Sequence, residues 1–222
     1  MLVIFDLDGT LLNTIDDLAT AANHALKVCG FPLRSVEECR QFVGNGVTKL
    51  LERALPAGSG TPENIARMRD AFFAFYDVHL ADQTRPYEGI IALLSGLQAR
   101  QIQLAVCSNK YQAATSRLVK HFFPTIDFVS VQGQQDGVPV KPHPQMVRNI
   151  LTQAQATPSD CLYVGDSDVD MQTAKQADVK ACAVTWGFRP REVLAAYQPA
   201  YWVDTPAQIL LLPQIQRNNS GA

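Results

Sequence analysis

The sequence predicts an α/β fold: a doubly wound, mainly parallel Rossmann-like sheet interrupted by an inserted α-helical cap domain. Short continuous apolar runs recur at Val3-Ile4-Phe5, Leu104-Ala105-Val106-Cys107 and Leu162-Tyr163-Val164, as expected of strands buried on both faces. From Tyr87 onward, such runs alternate with segments of helical period. Between the first run and Tyr87, helical segments follow one another with no strand between them, which suits an insertion better than a crossover of ordinary length.

A chain of 222 residues with 47% hydrophobic content can bury one good core and a smaller domain. A formal net charge of -2 with no basic cluster gives no field that would draw in nucleic acid or an anionic membrane. Cys29, Cys39, Cys107, Cys161 and Cys182 are odd in number and scattered, so neither a disulfide framework nor a zinc site is suggested. The N-terminus lacks the basic flank and long apolar segment of a signal peptide, and no segment has the length of a membrane span. These features predict a cytoplasmic protein with neither nucleic-acid nor membrane partners. They do not bear on oligomeric state.

The first helix of the insertion places Ile15, Leu18, Ala22, Ala25 and Leu26 on one face, with Thr14, Asp16 and Asp17 as capping and early acidic residues and Gly30 as its stop. Ser35 and Glu38 have capping-box spacing for a second helix. A third runs from Gly46 to Leu55, and a fourth from Pro62 to about Leu80 with Ile65, Met68, Phe72, Phe73 and Tyr76 apolar. The expected division is a core of residues 1–14 and 84–216, a cap of 15–83 hinged at its two connections, and a polar disordered tail of 217–222.

In the core, helices are expected at Gly89 to Ala99, Gln112 to His121, after Pro142, and at Val169 to Ala177. Strands are expected at Gln103 to Cys107, Phe128 to Val131, Cys161 to Val164, Lys180 to Val184 and Tyr201 to Val203.

The polar residues begin where the strands should end, and that carboxyl edge is where open α/β sheets bind ligands. Asp6 and Asp8 leave the first strand together; two carboxylates so close need a cation, a lysine, or both. Ser108 and Asn109 follow a second strand and can donate to a phosphoryl oxygen, although Ser108 also suits the cap of the next helix. Lys141 precedes Pro142, which reads as the first residue of a helix. A cation there opposes the helix dipole and is explained if it neutralises acids or phosphate. Asp166 and Asp170 are spaced to face one centre from a strand tip and a helix's first turn, with Asp168 pointing away.

Asp6-x-Asp8-Gly9-Thr10-Leu11-Leu12, the Ser108-Asn109 strand end, Lys141-Pro142 and Gly165-Asp166-x-x-x-Asp170 resemble, in order, the four motifs of the haloacid dehalogenase-like phosphohydrolases with an α-helical cap. The resemblance implies a Mg2+-dependent phosphomonoester hydrolase working through an aspartyl-phosphate on a small phosphorylated metabolite. Asp6 would be the nucleophile and Asp8 the acid and base; Mg2+ would sit on Asp6, the Asp8 carbonyl and Asp166, with Asp170 supporting that set from behind. Ser108, Asn109 and Lys141 would meet the phosphoryl oxygens.

Phe42-Val43-Gly44-Asn45-Gly46-Val47 and Thr185-Trp186-Gly187-Phe188 are similar to the phosphoglycolate phosphatases, which implies 2-phosphoglycolate as substrate and the Gly44-Asn45-Gly46 loop as its cap contact. Asn13-Thr14 and Asp178 depart from the family's usual Asp-Ser and Gly. A β-phosphoglucomutase-like phosphosugar mutase, a pyrophosphatase or another small-phosphate phosphatase would share the core motifs. A binding domain without catalysis could use the same scaffold.

Overall fold

The computed structural model describes residues 1–217. Arg217 closes the final helix, and the remainder of the expected tail lies outside the described residues. Two compact units divide the chain, one of Met1–Leu12 with Pro86 onward, the other of Asn13–Arg85.

The chain opens with strand β1 (Leu2–Phe5), buried over its whole length, and the short strand β2 (Leu12–Asn13). The helical unit then holds α1 (Ile15–Cys29), α2 (Val36–Phe42), α3 (Val47–Ala54) and α4 (Pro62–His79). Helix α1 buries Ile15, Leu18, Ala22, Ala25 and Leu26 and ends at Gly30, whose left-handed φ of 79° suits a residue without a Cβ. Ser35 and Glu38 complete their capping box at α2, and Thr61 caps α4 ahead of Pro62.

The start of α1 differs from expectation. The Thr14 side chain makes no capping bond; Asp16 and Asp17 are the acidic residues of the first turn as expected, but Asp17 is buried at 3% exposure. Its carboxylate accepts from Gln83 N (3.0 Å), Thr84 N (2.8 Å) and Thr84 Oγ1 (2.7 Å), fastening the end of this unit to its beginning.

The chain continues through β3 (Arg85–Pro86), α5 (Ile90–Ala99), β4 (Gln103–Tyr111), α6 (Gln112–Phe122), β5 (Phe128–Gln134) and α7 (Gln145–Ala154). There follow β6 (Cys161–Gly165), α8 (Asp168–Gln176), β7 (Lys180–Val184), α9 (Arg191–Ala195), β8 (Tyr201–Val203), α10 (Pro206–Ile209) and α11 (Pro213–Arg217). The main sheet has the order β5-β4-β1-β6-β7-β8 and all its pairings are parallel. This is the doubly wound architecture that the apolar runs predict. Strand order turns back at β1, which makes its carboxyl end a topological switch point. Phe5 lies level with Val106 on β4 and Val164 on β6, so the residues after these three positions emerge at one edge. Beneath that edge, Leu2, Ile4, Ala105, Cys107 and Tyr163 pack with Met146, Val147 and Ile150 of α7.

Three local expectations are corrected. β4 does not stop at Cys107 but runs to Tyr111, with a register shift against β5 over that stretch. Ser108 therefore lies within the strand and does not cap α6, which begins at Gln112. Pro142 does not open a helix: α7 starts at Gln145, behind Pro144. His143 precedes that second proline, which disfavours helical backbone at position 143 and delays the helix. Helix α9 was not expected, because a single turn burying only Leu194 has too few residues to show a period. Asp178, standing where glycine is usual, adopts a left-handed φ of 57° just after α8, a conformation that Asp tolerates better than most side chains.

Candidate active site

Asp6 is the first residue beyond β1, and its main-chain N donates to Val164 O (2.9 Å), continuing the sheet into the site. Its Oδ1 accepts from Leu7 N (2.7 Å) and pairs with Lys141 Nζ at 2.9 Å. Lys141 also reaches Asp170 Oδ1 (2.7 Å) and the Tyr163 hydroxyl (3.2 Å), so one buried ammonium bridges the acids that follow β1 and β6. Its charge is thus explained by these carboxylates and not by a helix terminus.

The loop bearing Lys141 is held by Asn109. The Asn109 amide donates to Lys141 O (3.0 Å) and accepts from Lys141 N (2.8 Å). The amide assigned from sequence to a phosphoryl oxygen is therefore engaged with the Lys141 backbone. Ser108, 1% exposed, accepts from Lys110 N at 3.2 Å.

Asp166 follows β6 and is gripped from two sides. Thr10 Oγ1 donates to its Oδ1 (2.8 Å), and Phe188 N donates to its Oδ2 (2.7 Å). Trp186 Nε1 donates to Thr10 O (3.0 Å), which ties the loop after β7 to the turn after β1. Gly9, at φ 88°, and Gly187 leave the room this grip requires: a Cβ on either would fall 2.4 Å and 2.2 Å from Asp166 atoms. Asp170, fully buried, accepts from Ser167 N (3.0 Å) and Ser167 Oγ (2.6 Å) through Oδ2 while Oδ1 faces Lys141. Asp168 does turn away, toward Arg189 Nε at 3.6 Å.

Ligand oxygens of Asp6, Asp166 and Asp170 lie within 4.8 Å of one another. Burial first, and then the Asp170 charge, pushes the Asp6 carboxyl well above its ordinary value, against the pull of Lys141. The same two causes push Asp166 up to about 7. This corner holds more negative charge than Lys141 neutralises, and its donors are hard carboxylate oxygens, so the residues fit a divalent cation of the Mg2+ kind.

Asp8, two residues beyond Asp6, pairs with Lys110 Nζ at 3.1 Å. The sequence assigns no individual role to Lys110, Thr10, Tyr163, Trp186 or the Phe188 amide, although Thr10, Trp186 and Phe188 stand in the stretches that carry the resemblance. Lys110 could have been noticed as a lysine following a strand end; the others act through the main chain or hold acids by neutral side chains, which leaves no charge pattern. The Gly44-Asn45-Gly46 loop belongs to the helical unit. There Arg53 braces it, through Nη2 to Asn45 Oδ1 (2.8 Å) and Nη1 to Phe42 O (2.7 Å).

A family model described as haloacid dehalogenase-like hydrolase matches residues 3–184, a span that holds every acid of this site. The chain belongs to the haloacid dehalogenase-like hydrolases. Within that family it is similar to enzymes named phosphoglycolate phosphatase. The one from Mesorhizobium japonicum is 33% identical over 196 residues, covering 86% of each chain. The one from Cereibacter sphaeroides is 35% identical over 189 residues, covering 84% of this chain and 86% of that one. Among solved structures, a protein from Haemophilus somnus described as a predicted phosphoglycolate phosphatase superposes with a TM-score of 0.87 at 30% identity, over 95% of this chain and 96% of its own. The α/β architecture and the hydrolase class expected from sequence both stand, and it is the phosphatases of the family that this member resembles. Among the described residues, no helix is long and apolar enough to cross a membrane.

Proposed function

We propose that this haloacid dehalogenase-like hydrolase is a Mg2+-dependent phosphatase that forms an aspartyl-phosphate on Asp6, with 2-phosphoglycolate as its substrate. The observation that carries the reading is the convergence of Asp6, Asp166 and Asp170 around Lys141 at the sheet's switch point, with Asp8 beside them. The names of the similar enzymes support the substrate.

An Asp6 carboxylate oxygen would attack phosphorus while the ester bond to the leaving oxygen breaks, and Asp8 would give that oxygen its proton. Asp8, now a carboxylate, would take a proton from the water that attacks phosphorus next. The bond to Asp6 then breaks, and both aspartates return to their starting state. Lys141 would neutralise the nucleophile's surroundings and meet the arriving phosphoryl group, and Ser108 would donate its hydroxyl proton to a phosphoryl oxygen. Asn109 would act by holding the Lys141 backbone.

Asp6, the Asp8 carbonyl and Asp166 would hold Mg2+, which when bound supplies charge neutralisation for the phosphoryl group. Asp170, Thr10 and the Phe188 amide would fix those ligands in place. The helical unit Asn13–Arg85 would serve as a cap, with the Gly44-Asn45-Gly46 loop as its substrate contact. Five free cysteines support a reducing, cytoplasmic setting.

The test is phosphate release from 2-phosphoglycolate, pyrophosphate and hexose phosphates, with Mg2+ and with a chelator. Mg2+-dependent release that prefers 2-phosphoglycolate supports the reading. Release that prefers another substrate removes 2-phosphoglycolate, and isomerised sugar phosphate without released phosphate replaces the phosphatase by a mutase.

A further inference from the structure

Lys110 is buried at 5% exposure, yet neither the metal site nor the phosphoryl site described above uses it. Its backbone is seated with care. Lys110 N donates to Ser108 Oγ (3.2 Å), and Lys110 O accepts from Thr115 Oγ1 (3.1 Å). Across on β5 stands Gly133, where a Cβ would fall 2.6 Å from Lys110 O and 2.6 Å from Thr115 Oγ1, so the close approach of this part of β4 needs a glycine there. The register shift of β4 against β5 spans these residues. Together these features deliver the side chain to the carboxyl edge, where Nζ stands 3.1 Å from Asp8 Oδ1, with the two side chains 3% and 13% exposed.

The site's charges divide in a definite way. Lys141 is shared between Asp6 and Asp170, and Lys110 pairs with Asp8. A buried ion pair is a poor source of stability, because the cost of desolvating both charges offsets most of their attraction. The pair is better explained by what it does to Asp8. A carboxyl group that must face a leaving oxygen as the acid in one step and a water as the base in the next has to stand within hydrogen-bond reach of both, and rotamer freedom at Asp8 would spoil this.

Resting on the proposed phosphatase reading, we infer that Lys110 is a positioning residue for the reaction, whose ammonium fixes the orientation of the Asp8 carboxyl group for its two proton transfers. It contributes through Asp8 and has no separate hold on the substrate.

The test is a double-mutant cycle on the full chain, reading kcat and KM for phosphate release at saturating Mg2+ in the unaltered protein, Lys110→Met, Asp8→Ala and the double variant. Coupling between contacting residues sets the expected size: Lys110→Met lowers kcat roughly ten-fold, leaves KM within about two-fold, and adds nothing to Asp8→Ala. Lys110→Gln gives the same cycle if the Met variant does not fold. Losses that multiply in the double variant, an unchanged kcat, or a raised KM at constant kcat would each overturn the inference. If Asp8→Ala itself keeps full activity, it is the catalytic role of Asp8 that fails. If Asp8→Ala is slow while Lys110→Met is not, only the role of Lys110 fails.

Discussion

Lys141 Nζ lies 2.9 Å from Asp6 Oδ1, and the ammonium that makes this contact is only 2% exposed. Burial alone would lower the lysine's pKa, but Asp170 and then Asp6 reverse the effect and hold it above its ordinary value, so the ammonium keeps its charge. One ammonium does not balance Asp6, Asp166 and Asp170, and that imbalance is the source of the first prediction.

Asp166 is raised on folding from 3.8 to about 7. A group with a raised folded pKa binds its proton more tightly in the folded chain, so its contribution to stability is full below 3.8 and is lost as pH rises through about 7. Without Mg2+, the melting temperature should fall across that window by more than it does in Asp166→Asn, and added Mg2+ should remove most of the difference. Melting curves in chelator and in Mg2+ check this; identical pH profiles for both proteins in chelator would sink it.

Gly187→Ala would drive a Cβ to 2.2 Å from Asp166 Cβ, and the Phe188 amide would have to leave Oδ2 for the loop to make room. Because residues that orient ligands typically set metal affinity by about 10- to 100-fold, Mg2+ binding should weaken by at least roughly ten-fold. Calorimetric titration with Mg2+ reads the effect directly, and unchanged affinity would show that the grip on Asp166 is dispensable.

Asp17→Ala leaves the amides of Gln83 and Thr84 and the fully buried Thr84 hydroxyl without their acceptor. Unmade buried hydrogen bonds cost about 1–3 kcal/mol each, so the variant should unfold at clearly lower urea. A midpoint equal to that of the unaltered chain would mean that the latch contributes nothing.

Burial pushes the thiols of Cys39 up to about 11 and of Cys107, Cys161 and Cys182 up to about 12. These four are buried and Cys29 is not, so a thiol reagent at neutral pH should modify Cys29 first and the rest only on unfolding. Peptide mapping after brief labelling decides it; rapid modification of Cys107 in the folded chain would contradict the burial described here.

The strands were legible because a parallel sheet covered on both faces writes itself as uninterrupted apolar runs, and the helices of the inserted unit because each carries a period, a cap or a stop. The acids were legible because they follow those runs. Positions set by tertiary contact were not. Whether the first-turn Asp17 faces solvent or fastens the end of the helical unit depends on Thr84, which is far away in sequence. The start of α7 hung on Pro144 acting through His143, a two-residue effect outweighed by the stronger Lys141-Pro142 signal. Trp186 and Phe188 stand out only as part of a stretch similar to the phosphoglycolate phosphatases; that the Trp186 indole reaches Thr10 O and that Phe188 enters the site by its main chain follow from tertiary contact.

The central claim is that phosphate passes through Asp6. The most direct measurement is to quench the enzyme during turnover of 2-phosphoglycolate with Mg2+, reduce it with borohydride, and map the N-terminal peptide by mass spectrometry. An aspartyl-phosphate is reduced to homoserine, so the account predicts homoserine at position 6 in the unaltered chain, and neither turnover nor homoserine in Asp6→Asn. Phosphate release that continues in Asp6→Asn, or homoserine found at a different aspartate, would contradict it.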